Sequence, residues 1–248
     1  MRGAIVAATV VIAIAAVLLV VAVELLSLVV EADAEYPDNL RLETRTALNR
    51  TSRLGSPVGA NDGRFNHLVF TDNDGKVLRY ARWNTSTAIE YQNLSVLDSD
   101  PHGDPTIACG PGGMIIVAWT DIHTGVGHIC MRVSEDYGSS FSDIRMVGGP
   151  EEARYQSNPA VAVTSDSTIH VAFGLTFTAQ LGYASSTDGG VTFSDIQTFD
   201  STEQNHYYAE PVLLIGPSDE LQLFCIERDY DVYSSSGLCL MTEEADGK

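Results

Sequence analysis

The octapeptide Ser134-Glu135-Asp136-Tyr137-Gly138-Ser139-Ser140-Phe141 returns fifty-two residues later as Ser186-Thr187-Asp188-Gly189-Gly190-Val191-Thr192-Phe193. Both copies fit S-x-D-x-G-x-x-F and run on into Ser-Asp-Ile, at Ser142-Asp143-Ile144 and Ser194-Asp195-Ile196. Self-similarity at that period marks an array of like supersecondary units, so a site is expected between units rather than inside one.

The surrounding residues keep the same frame. Pro57, Pro105, Pro159 and Pro211 open four units, and an aromatic residue follows each at Phe70, Trp119, Phe173 and Phe224. Short apolar runs such as Ile116-Val117-Ala118-Trp119 and His170-Val171-Ala172-Phe173 lie between, and Thr71-Asp72 matches Thr120-Asp121. Runs of strand length punctuated by Gly, Asp and Ser predict an all-β chain. Proline is expected at the strand starts, where its missing N–H is not needed by a ladder. Four strands in about fifty residues is a propeller blade. The blades are expected near 57–98, 105–149, 159–199 and 211–248, within a domain covering 36–248.

The repeated turn has a readable logic. Its Asp side chain accepts backbone N–H groups of a tight turn, its Gly takes a positive φ, and its Phe folds back into the sheet. The pattern resembles the Asp box, or BNR repeat, of sialidases and related β-propellers. That resemblance implies a sialidase-like propeller in which Ser134, Asp136, Gly138, Phe141, Ser186, Asp188, Gly190 and Phe193 are structural, on the face away from any active site. Sialidase-like propellers usually have six blades, and about four are present. Two readings follow: the front part of a longer product, or a ring closed by Leu40-Arg41-Leu42-Glu43-Thr44-Arg45-Thr46, which alternates like a strand. The first unit has no such turn after Tyr80, and in the fourth Glu243-Glu244-Ala245-Asp246-Gly247 is one residue out of register.

A net charge of −19 argues against nucleic acid and anionic membrane surfaces as partners. The amino terminus predicts a different relation to the membrane. Ala4 to Val23 carries only Thr9 as a polar residue, long enough to cross a bilayer core of about 30 Å. Arg2 before it and Glu24, Glu31, Asp33 and Glu35 after it place the following domain outside the cell. Residues 1–35 are therefore expected to be a signal-anchor, with a cleaved signal ending near Ala32-Asp33-Ala34 as the alternative. The sequons at Asn49, Asn84 and Asn93 agree with export. Cys109, Cys130, Cys225 and Cys239 form no C-x-x-C, so no zinc site is expected. Cys225 and Cys239 fall on neighbouring strands where a disulfide is an option, whereas Cys109 and Cys130 are expected free and buried.

The loops sort by face. Opposite the Asp-box turns lie the inter-blade loops and the second-to-third-strand connections. They carry Asp98, Asp100, His102, Asp104, Asp121, His123, Glu151, Glu152, Arg154, Tyr155, His206, Tyr208, Asp229, Tyr230 and Asp231. Carboxylates that grip hydroxyls and rings that stack on sugar faces suit carbohydrate recognition. The leading expectation is a membrane-anchored, cell-surface module that binds glycans or proteins. The alternative is a glycoside hydrolase of sialidase type. The family uses a tyrosine nucleophile with a glutamate, an acidic acid/base and three arginines on the substrate carboxylate. By that resemblance the candidates are Arg154, Tyr155, Glu203, Tyr207, Glu227 and Arg228. The family's early Arg-Ile-Pro is absent, and three clamping arginines cannot be assembled. A structural surface protein is a further alternative. Asp98, Asp100 and Asp104 are a candidate calcium set; no other cofactor is expected.

Overall fold

A computed structural model describes residues 57–72, 76–95, 102–122, 127–148, 155–175, 178, 180–201, 206–229 and 235–242. All belong to the second of two compact units, Arg50–Lys248. The apolar run Ala4–Val23 and the strand-like Leu40–Thr46 lie outside the described residues. No helix among the described residues is long and apolar enough to cross a membrane.

The chain forms four antiparallel sheets, each a simple meander. The first holds β1 (Val58–Asn61), β2 (Asn66–Asp72), β3 (Val77–Trp83) and β4 (Glu90–Asn93). The second holds β5 (His102–Cys109), β6 (Ile115–Asp121), β7 (His128–Ser134) and β8 (Arg145–Met146). The third holds β9 (Gln156–Val163), β10 (Ile169–Leu175), β11 (Gln180–Ser186) and β12 (Gln197–Phe199). The fourth holds β13 (His206–Ile215), β14 (Leu221–Asp229) and β15 (Ser235–Thr242). The first strands are successive neighbours, β1 beside β5, β5 beside β9 and β9 beside β13. They therefore form the inner row of a radial stack.

Both faces of the middle sheets are apolar because each packs against two neighbours. Every residue of β6 is buried. Ile115, Val117 and Trp119 meet Val69, Leu78 and Tyr80 of the first sheet. Ile116 and Ala118, pointing the other way by the two-residue strand period, meet Val161, Val171 and Phe173 of the third. The third sheet meets the fourth through Ala160, Ala172 and Leu181 against Leu213, Leu223 and Cys225. On its other face the fourth sheet exposes Val212, Leu214, Leu238 and Leu240.

Two sequence expectations are corrected. Pro105, Pro159 and Pro211 do not start their strands. They lie inside β5, β9 and β13, where the pairing register slips, between Gly103 and Thr106, across Ser157 to Ala160, and between Ala209 and Val212. A bulge leaves one residue without a ladder bond, so a proline fits there as well as at an end. Phe224 also does not match Trp119 and Phe173. Thr106 pairs with Ala118, Ala160 with Ala172 and Val212 with Phe224, so Cys225 takes the aromatic position. The fourth unit buries a small thiol where its predecessors bury a ring.

The repeated turns join third to fourth strand in the second and third sheets, and their bonding is superimposable. The Ser134 hydroxyl donates to Asp136 Oδ1 at 2.8 Å and accepts the Gly138 N–H at 2.8 Å. The Ser140 N–H and hydroxyl donate to the two Asp136 oxygens at 2.8 and 2.7 Å. Ser186, Asp188, Gly190 and Thr192 repeat this at 2.8, 2.8, 2.9 and 2.6 Å. Burial works to raise the Asp136 carboxyl, but the Ser140 donors outweigh it and hold it below its ordinary value. The Thr192 hydroxyl and N–H hold Asp188 well below the carboxylate range. Ser142 and Ser194 each tie the returning chain to the third strand, through the Val133 and Ser185 backbones. Phe141 and Phe193 then reach into the first and second inter-sheet cores. In the first sheet an Asn84 turn stands in for the corner, its Oδ1 accepting the Ser86 N–H at 2.9 Å.

Candidate functional site

The rim opposite the corners is built by the bulges. The residue just before each proline has a left-handed backbone: Asp104 at φ 48, Asn158 at φ 51 and Glu210 at φ 51. Few non-glycine residues adopt this conformation, and equivalent outliers on three neighbouring inner strands point to a functional rim. Asp104 was expected on this face, whereas Asn158 was not. The readable signal was the residue preceding each repeat proline. The shielding around Asp104 raises its carboxyl above the ordinary value, and the backbone N–H of Asn158 opposes that rise. Glu210 is exposed and paired with Arg228 Nη2.

The fourth sheet adds a cluster. His206 pairs in register with Asp229, and Tyr208 with Glu227, so these four side chains share one sheet face. His206 Nδ1 lies 3.5 Å from Glu227 Oε1, and its Nε2 lies 3.6 Å from Asp229 Oδ2. The Ser201 hydroxyl donates to the same Glu227 oxygen. Burial pushes the Tyr208 hydroxyl up, with Cys239 and Glu227 adding to the shift. Tyr207 and Arg228 pair on the opposite face.

The second sheet offers a different arrangement. Asp121 and His128 face each other where β6 and β7 join, and both are buried. Asp121 Oδ2 lies 3.4 Å from the Trp119 indole nitrogen. Tyr155 and Gln156 are wedged beneath Gly127, where an added Cβ would meet the Gln156 carbonyl at 2.5 Å and the Tyr155 ring at 3.1 Å. Gln156 is fully buried and accepts the Ile129 N–H at 2.8 Å. Asp121 is thus buried, and half-buried Tyr155 packs against Gly127. His102 begins β5. Asp98, Asp100, His123, Glu151, Glu152, Arg154, Glu203, Tyr230 and Asp231 lie outside the described residues. No group of three metal-binding side chains assembles among the described residues.

The rim thus brings together exposed carboxylates, an amide, a histidine held by two acids, and an arginine. These groups can hydrogen-bond vicinal hydroxyls in several directions, as a sugar requires.

No protein-family model and no curated protein matches the sequence. Solved structures do match in fold. The NanB sialidase of Streptococcus pneumoniae superposes with a TM-score of 0.55 at 13% identity, over 75% of this chain and 30% of its own. The alpha-L-arabinanase of Penicillium chrysogenum gives 0.58 at 11% identity, over 77% and 63%. A Hadza microbial sialidase gives 0.52 at 16% identity, over 78% and 44%. This chain is therefore similar in fold to propeller glycoside hydrolases and spans less than two thirds of each of these three.

Proposed function

We propose that this chain is the carbohydrate-recognising part of a cell-surface protein, exported and anchored through the apolar run Ala4–Val23. The observation that carries the reading is the row of Asp104, Asn158 and Glu210, turned out of three neighbouring inner strands by the same bulge. A carboxylate, an amide and a second carboxylate at equivalent bulge positions of three neighbouring inner strands supply both hydrogen-bond acceptors and donors. His206 with Glu227 and Asp229 extends the polar rim into the fourth sheet. Titration of the whole chain with a panel of neutral and sialylated oligosaccharides tests this. Saturable binding that Asp104→Ala and Glu210→Ala each weaken about tenfold supports the rim, as loss of charged hydrogen-bond partners would. Binding indifferent to both substitutions defeats it. Protease shaving of intact cells that leaves the domain untouched would defeat surface exposure.

A second reading is glycoside hydrolysis, which needs a proton-holding carboxyl and an ionised partner across the bond. The raised carboxyl of Asp104 and the arginine-paired Glu210 favour it. Turnover of a fluorogenic arabinoside or sialoside, abolished in Asp104→Asn, is its test. No turnover by the unsubstituted chain leaves the binding reading alone in place.

A further inference from the structure

Cys225 and Cys239 are direct partners across β14 and β15. Both are thiols in this structure. Directly opposed residues of an antiparallel pair have Cα atoms about 4.5 or 5.5 Å apart, depending on which kind of pair they form. Both values fall inside the span that a disulfide bridges, about 4.4–6.8 Å. Side-chain alternation puts both sulfurs on the same sheet face, and the nearness of Cys239 adds to the rise that burial imposes on the Cys225 thiol. Cys225 is almost fully buried and Cys239 half-buried, both against the third inter-sheet core.

Cys109 and Cys130 differ in this respect. They sit on β5 and β7, with β6 between them. Two strand spacings of about 4.8 Å separate such positions, beyond the reach of a disulfide.

We propose that Cys225 and Cys239 form a cross-strand disulfide site that staples β15 to β14 when the chain meets a disulfide-bearing oxidant. The sulfur of Cys239, the more accessible of the two, attacks the oxidant disulfide and expels one thiol. The sulfur of Cys225 then attacks the Cys239 sulfur of that mixed disulfide and expels the second. The two cysteine protons pass through solvent to the two departing thiolates, and two electrons reduce the oxidant disulfide to a pair of thiols. Burial pushes the Cys225 thiol up to about 12, so its deprotonation limits the second step and closure quickens with rising pH.

Two consequences make the bond more than an ornament. β15 is the edge strand of the fourth sheet among the described residues, and edges fray first. Cys225 also shares its face of β14 with Glu227 and Asp229, and Cys225, Cys239 and Tyr208 pack in the same inter-sheet core. The staple therefore lies directly under the histidine–carboxylate cluster.

The experiment uses the full chain, oxidised glutathione over pH 7–9, quantitative alkylation in denaturant and mass spectrometry of an unreduced digest. The expected result is loss of two of the four thiols, with one linked peptide pair joining Cys225 to Cys239. Cys109 and Cys130 stay alkylatable. Cys225→Ser arrests at a glutathione adduct on Cys239, and oxidised chain resists cleavage within β15 about tenfold better than reduced chain. Four alkylatable thiols after full oxidation would overturn the proposal. So would linkage through Cys109 or Cys130.

Discussion

The first and third inter-sheet junctions start from the same local device and end differently. In the first, His67 Nδ1 meets the Tyr80 hydroxyl at 2.6 Å, with the rings stacked 5.9 Å apart. In the third, His170 Nδ1 meets Tyr183 at 2.7 Å, with ring centroids 6.1 Å apart. Yet Tyr80 is 0% exposed and His67 1%, whereas Tyr183 and His170 are only half-buried. Among the described residues, the corner above Tyr80 makes the difference. Gly138 lies directly over Tyr80, Phe141 meets the Tyr80 ring edge-on at 4.8 Å, and Gln92 holds the Gly138 carbonyl at 2.9 Å. At the second junction Gly190 sits over Met131 and Arg145 holds the Gly189 carbonyl. At the third, Tyr183 and Gln197, which pair as Tyr80 and Gln92 do, border a groove of about 430 Å3 with Phe199, Leu221 and Met241. A histidine–tyrosine pair is thus made within one sheet, but its burial is conferred by the next.

The sharpest way to break this contrast is to block the corner. An added Cβ at Gly138 would lie 1.7 Å from the Tyr80 oxygen, at φ +77. Gly138→Ala is expected to cost about 3 kcal/mol from the clash and the backbone together. Gly112→Ala, at φ +68 with nothing within 4 Å, should cost only about 1 kcal/mol. Urea unfolding of both variants measures the gap; equal losses would mean that the corner does not press on Tyr80.

Next in size is the hydroxyl itself. Tyr80→Phe leaves the His67 nitrogen without its partner in a dry site and should cost about 1–2 kcal/mol. Tyr183→Phe, in the open groove, should stay under about 0.5 kcal/mol. Parallel thermal melts of the two variants decide it.

Acid titration sharpens the comparison from another side. Burial pushes the His67 imidazole below 6.5, with Asp62 resisting and Arg82 adding to the fall. The neutral ring suits its place, Nδ1 accepting from Tyr80 and Nε2 lying 3.2 Å from Asp62. Below pH about 6.5 the unfolded chain binds this proton more readily than the folded chain, so stability falls as pH drops through that window. Unfolding free energies between pH 8 and pH 5 should decline in the natural chain and flatten in His67→Gln. A flat profile in both would remove His67 from the account. The smallest effect is expected at Val191, 66% exposed on the outside of a corner. Val191→Ser should change stability by less than about 0.5 kcal/mol in a urea melt.

The corners were legible because every role in them is local. A hydroxyl, a carboxylate and a positive-φ glycine within five residues satisfy one another wherever the strand ends. The short apolar runs of β6 and β10, bounded by Gly, Asp and Ser, likewise announced strands. The rim was harder to read. Asp104, His206, Glu227 and Asp229 stood out as polar residues in the right loops, but Asn158 did not. Nothing in a single strand shows that a proline sits at a bulge rather than at a start. Phe224 misled for the same reason, since one residue of register reverses the face on which a side chain lands.

The amino-acid order alone therefore determined the β class, the period of the units and the self-contained corners, because short-range hydrogen bonds and side-chain alternation depend only on near neighbours. Tertiary packing alone decided which tyrosine is sealed, which cysteine replaces a ring, and which residues the bulges hold in a left-handed backbone. Those outcomes follow from how one sheet is registered against the next, and that registry is held by contacts between residues some fifty positions apart.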